Sequence, residues 1–114
     1  MTTLRLDDLT VALRALRLLA AEFAELPAGG VSVSTIWPDR VELSFHDDLP
    51  GFEAWRAALG IDPDAVELRP QEQGRTWCLL ARADYAGADV RLFGYAAIPP
   101  GTVVGEGARS VVTA

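Results

Sequence analysis

The stretch from Arg75 to Ala97, RTWCLLARADYAGADVRLFGYAA, decides how the rest of the chain must be arranged. β-branched and aromatic residues flank the connection Tyr85-Ala86-Gly87-Ala88, whose glycine readily adopts positive φ, so the stretch reads as two strands and a tight turn. In the first strand Trp77, Leu79, Ala81 and Ala83 share one parity, and Cys78, Leu80, Arg82 and Asp84 the other. In the second, Val90, Leu92, Gly94 and Ala96 alternate with Asp89, Arg91, Phe93 and Tyr95. Neither face is wholly polar, so a hairpin with apolar groups on both sides is expected.

Upstream, Leu9, Ala12, Leu13, Leu16, Leu19, Ala20 and Phe23 recur three and four apart. This predicts an amphipathic helix from Asp7 to Leu26, capped by Asp7 or Asp8 and ended by Pro27 and Gly29-Gly30. Val11 and Leu18 fall off its apolar stripe. Residues 31–37 and 40–46 alternate with period two around Pro38-Asp39, a second hairpin. Val31, Val33, Trp37, Val41, Leu43 and Phe45 are expected to line the core, with Ile36 and His46 outside. Phe52, Trp55 and Leu59 then share one face of a short helix over 52–59, with Gly60 past its end and Asp47-Asp48 at its start. Asp62-Pro63-Asp64 is a cap or turn, Val66 to Arg69 a brief strand, and residues 71–74 a polar loop into the central hairpin.

Two amphipathic helices and about five strands, in the order α-β-β-α-β-β-β, predict an α+β two-layer sandwich. Both helices lie on one face of a mostly antiparallel sheet. Residues 1–98 form the single domain; 99–114, punctuated by Pro and Gly, are expected to be a flexible C-terminal tail.

The chain has 114 residues, half of them hydrophobic, enough for one core and too few for two. No apolar run approaches the roughly 20 residues of a spanning helix, and Asp7 and Asp8 interrupt any signal-peptide core. The expected location is the cytoplasm, which a single cysteine, Cys78, also suits. All ten basic residues are Arg and the net charge is -6, which argues against binding the phosphates of duplex DNA.

Reactive chemistry finds little to stand on. His46 is the only histidine, and one His with one Cys in different elements does not make a transition-metal set, so neither metal nor cofactor is expected. Cys78 sits mid-strand, away from any helix N-terminus that would stabilise a thiolate, which argues against a Cys78–His46 nucleophile pair. The serines lie outside any G-x-S-x-G turn, and no glycine cluster precedes a helix as a phosphate loop does. No catalytic residue is assigned.

Surface remains. With Trp77, Leu79, Val90 and Leu92 turned to the helices, the opposite face presents Cys78, Leu80, Arg82, Arg91, Phe93 and Tyr95. Tyr, Phe and Arg are the side chains enriched at protein interfaces. The expected role is a non-enzymatic protein–protein interaction module. Its binding face is Leu80, Arg82, Arg91, Phe93 and Tyr95, and its partner is a second copy, as a homodimer, or another protein, a basic one by charge. Three competing roles share this face: cover for the C-terminal tail, a ligand-binding or catalytic pocket where Tyr95, His46 and Arg91 converge, and base stacking on single-stranded nucleic acid.

The Leu/Ala-rich first helix, VSVSTIWPDRVELSFHDD, FEAWRAALGIDPDAV and YAGADVRLFGYAAIP together resemble small proteins of actinobacteria and their phages or mobile elements, over roughly residues 9 to 98. The resemblance implies a cytoplasmic accessory protein encoded by a mobile element and brings no catalytic motif with it; an inhibitor role rests on the acidic charge, which suits a basic partner.

Overall fold

The computed structural model describes residues 3–71 and 74–97. Helices α1 (Thr10–Glu22) and α2 (Leu49–Ala58) accompany strands β1 (Gly30–Val33), β2 (Arg40–His46), β3 (Glu67–Gln71), β4 (Thr76–Tyr85) and β5 (Ala88–Ala97). The element order and the α+β class are those expected. The strands form one sheet in the order β1-β2-β5-β4-β3, in which β2 and β5 run parallel and the other neighbours antiparallel. The sheet is therefore mixed, because β5 returns between β2 and β4.

Strand parity sorts the two faces. Val41, Leu43 and Phe45 of β2, Val90 and Leu92 of β5, and Trp77, Leu79 and Ala81 of β4 share one core with Ala12, Ala15 and Leu19 of α1 and Phe52 and Trp55 of α2. Both helices thus pack on the same side of the sheet. Burying each large side chain of this set contributes about 1.5–3 kcal/mol, and no polar side chain among the described residues is buried with them. Gly94 belongs to this face because α2 comes so close: a Cβ there would lie 3.0 Å from Phe52 Cδ2. The two helix ends are tied together by Trp55, which donates its indole N–H to Pro27 O at 2.7 Å and meets the Phe23 ring edge-on at 5.7 Å.

Several local expectations are corrected. The first helix begins not at Asp7 but after a 3-10 turn, Leu6–Leu9, and ends at Glu22. Asp8 does not cap α1; its carboxylate accepts the Arg5 backbone N–H at 2.7 Å, upstream of the helix. Its buried line is Ala12, Ala15 and Leu19, so that Leu13 and Ala20 are exposed and Val11 packs at the margin. Small residues on this line let the helix approach the sheet closely. The first hairpin strand stops at Val33, four residues short, because the Ser34 hydroxyl accepts the Ile36 backbone N–H at 3.0 Å and turns the chain out of the ladder. Trp37 is consequently 54% exposed rather than in the core, its ring lying 4.5 Å from the Arg40 guanidinium. Val31, on the free edge, is also exposed.

The second helix starts earlier than expected, with Asp48 as N-cap accepting the Gly51 N–H at 3.1 Å and Pro50 in its first turn. Residues 63–65 form a single 3-10 turn capped by Asp62. The tail expected over 99–114 lies outside the described residues. No described helix is long and apolar enough to cross a membrane.

Candidate functional site: the open face of the sheet

The turn of the central hairpin fixes everything on this face. Ala86 and Gly87 have φ of 51° and 82°, the two consecutive left-handed residues of a type I′ turn, whose twist matches that of the strands it joins. The register that follows sets Arg82 opposite Arg91, Leu80 opposite Phe93 and Cys78 opposite Tyr95. All five expected interaction residues therefore occupy one contiguous patch, on the side away from α1 and α2. Leu92 and Val90, between them in sequence, are fully buried on the other side.

Neighbouring strands complete the rows. Ser44, Phe93, Leu80 and Glu67 lie abreast, as do His46, Tyr95, Cys78 and Arg69. The centre is apolar: Leu80, Phe93 and Tyr95 are half-buried and Cys78 is buried. The His46 ring stacks on Tyr95 with centroids 4.7 Å apart and planes 13° from parallel. His46 joins the face, as expected, whereas Ile36 stays in the loop beyond β1.

Charge lies toward the turn end and the β3 edge, and it is paired. Two arginines directly opposite each other repel, yet Arg91 lies 3.2 Å from Asp89 and Arg82 lies 3.3 Å from Glu67. Arg40 contacts Glu42 at 3.4 Å and Asp89 at 3.6 Å, and Arg69 reaches Glu67 at 3.1 Å. Such pairs at partly exposed sites are worth about 0–1 kcal/mol each; their effect here is to give each guanidinium a carboxylate neighbour on the face. Asp89 follows from the parity it shares with Arg91, and Glu42 from the outward side of β2, whereas Glu67 and Arg69 were not among the residues anticipated for this face. The signal was present in β3, where Glu67 and Arg69 share a parity, but only the register places them beside Arg82.

Burial pushes the Cys78 thiol above its ordinary range, and the nearby Tyr95 hydroxyl and Arg69 charge offset that only in part. Tyr95 is likewise raised, first by burial and then by Cys78 and Glu42. A thiol held neutral in this way is a poor nucleophile. Among the described residues no three His, Cys, Asp or Glu side chains gather as a metal site would require.

A cleft lies elsewhere among the described residues. About 1030 Å³ opens between α2, the 63–65 turn and β3, lined by Phe52, Glu53, Arg56, Val66, Leu68 and Leu79 among others. Tyr95, His46 and Arg91, expected to converge on a pocket, do not line it. Arg56 there is already committed, to the Glu53 carboxylate and to the carbonyl of Ile61, and Glu53 is correspondingly held below the usual carboxylate range. No family model, curated protein or solved structure matches this chain at a significant level.

Proposed function

We propose that this chain is a non-enzymatic docking module that binds protein through the open sheet face, with Leu80, Phe93 and Tyr95 as apolar anchors and Arg82 and Arg91 at their margin. One observation carries the reading. Three large apolar side chains lie together on a face that both helices leave free, and contiguous apolar surface of that kind is uncommon on a protein that works alone. Aromatic side chains bring large contact area at low entropic cost, and a guanidinium already aligned by a carboxylate loses less freedom on docking.

Nucleic acid suits the face less well. Each of Arg40, Arg69, Arg82 and Arg91 lies against a carboxylate, so the phosphate of a strand would have to displace an existing partner. Oligonucleotide binding at low salt, weakened steeply by added salt, would favour that alternative.

The test compares the full chain with Phe93→Asp plus Tyr95→Ser by light scattering and by capture from an extract of the native source. Loss of the associated species in the variant, with an unchanged circular dichroism spectrum, supports docking through this face. Identical mass and identical capture would remove it.

A further inference from the structure

Resting on that docking role, we infer that the occupant of the open face is a second copy of this chain, packed face to face about a two-fold axis. Charge decides between a basic partner and self. Arg40, Arg69, Arg82 and Arg91 share the face with Glu42, Glu67, Asp84 and Asp89, four cations against four anions, so the face is neutral. The whole chain carries ten cations and sixteen anions. The described residues outside this face hold five cations against ten anions, so their surplus of negative charge lies away from it. A strongly basic protein would be drawn to those surfaces and gain nothing at this one, whereas two neutral faces approach each other without repulsion.

Shape and size agree. An isologous interface requires a patch that complements itself, and a patch with an apolar centre and salt-paired margins does so. Phe93 and Leu80 of one copy meet their counterparts, while Arg82 and Arg91 come to rest near carboxylates at the margin. The five strands hold 4, 7, 5, 10 and 10 residues; at about 3.3 Å per residue and about 4.8 Å between strands they cover roughly 570 Å² in projection. That is near the low end of what each partner contributes to a specific interface, about 600–1,000 Å². The acidic surfaces remain outside, where their repulsion across solvent is screened at physiological salt.

The full chain should sediment at twice the monomer mass in the micromolar range. A mixture of isotope-labelled and unlabelled copies should show intermolecular contacts between Leu80 methyls and the Phe93 or Tyr95 ring. Phe93→Asp plus Tyr95→Ser should weaken the dimer about a hundredfold, and Ile36→Ser, on the exposed loop, should leave it unchanged. Should the charged double variant unfold, Phe93→Ala is the substitute and should weaken it about tenfold. A chain that stays monomeric throughout overturns the second-copy proposal while leaving docking of another protein on the same face intact. A dimer that survives these substitutions overturns both, since association would then use another surface. A monomer whose open-face rings become more accessible after truncation at Ile98 would show the tail as occupant, and also overturns the proposal.

Discussion

The two faces of this sheet are made from the same strands, one residue out of phase, and differ in almost everything else. Toward the helices, Leu92, Val90, Val41 and Ala81 are sealed at 0% exposure among other hydrocarbon groups. On the reverse, Phe93, Leu80 and Tyr95 are only partly buried, among arginines and carboxylates held in pairs. The first face stabilises the monomer; the second adds little to it. An apolar side chain thus has two meanings in one strand, depending only on its parity.

The adjacent pair Leu92 and Phe93 offers the severest trial of that contrast. Leu92→Ala should cost about 2–5 kcal/mol in urea unfolding through the cavity it leaves, whereas Phe93→Ala in the isolated monomer should cost about 1 kcal/mol; equal losses would erase the distinction between the faces. Gly94→Ala, next in line on the covered face, presses a methyl onto the Phe52 ring and should cost about 1–3 kcal/mol. Ala86→Gly should do the reverse. Ala86 holds a left-handed φ of 51° that costs a residue bearing a Cβ, so glycine there should stabilise by about 0.5–1 kcal/mol, measurable as a higher Tm. Trp37→Ala, despite removing the largest side chain of its loop, should change stability by less than about 0.5 kcal/mol.

Smallest are the effects of pH, which run in the same direction on the two faces from different causes. Cys78 on the open face has its folded-state pKa raised, so its contribution is complete below the ordinary thiol range and is lost as pH rises through the folded value. Its alkylation profile should accordingly lie to the alkaline side of a free thiol's. Tyr85 behaves likewise, its hydroxyl donating to the Glu22 carboxylate at 2.6 Å and its pKa raised by that bond. Glu22→Gln should return its titration toward the ordinary tyrosine range.

The central hairpin was legible because period two admits only two arrangements, and the helices, anchored by Trp55 and Phe52, selected one. The same rule failed at Trp37, where alternation was extended past Val33 into a segment that Ser34 had already bent away. It failed differently in α1, where Leu13 was read into the apolar stripe but is exposed, and Ala15, left out of it, joins Ala12 and Leu19 on the buried line. The parallel pairing of β2 with β5 was beyond reach, since no local pattern records which distant strand will come alongside. The anchors of the open face were readable from parity alone, and so was Asp89 beside Arg91; the pairing of Arg82 with Glu67 depended on register and was not.

That parallel pair has a consequence for assembly. β2 finishes at His46 and its partner begins at Ala88, so its central seam closes across about forty intervening residues, an entropically slow event compared with folding either hairpin. During synthesis β2 must therefore wait, with one row of backbone amides unmet, until β5 emerges. Pulse-labelled hydrogen exchange should show amides of β4 protected before those of β2 that face β5; the opposite order would mean that the seam forms first and the hairpin follows it.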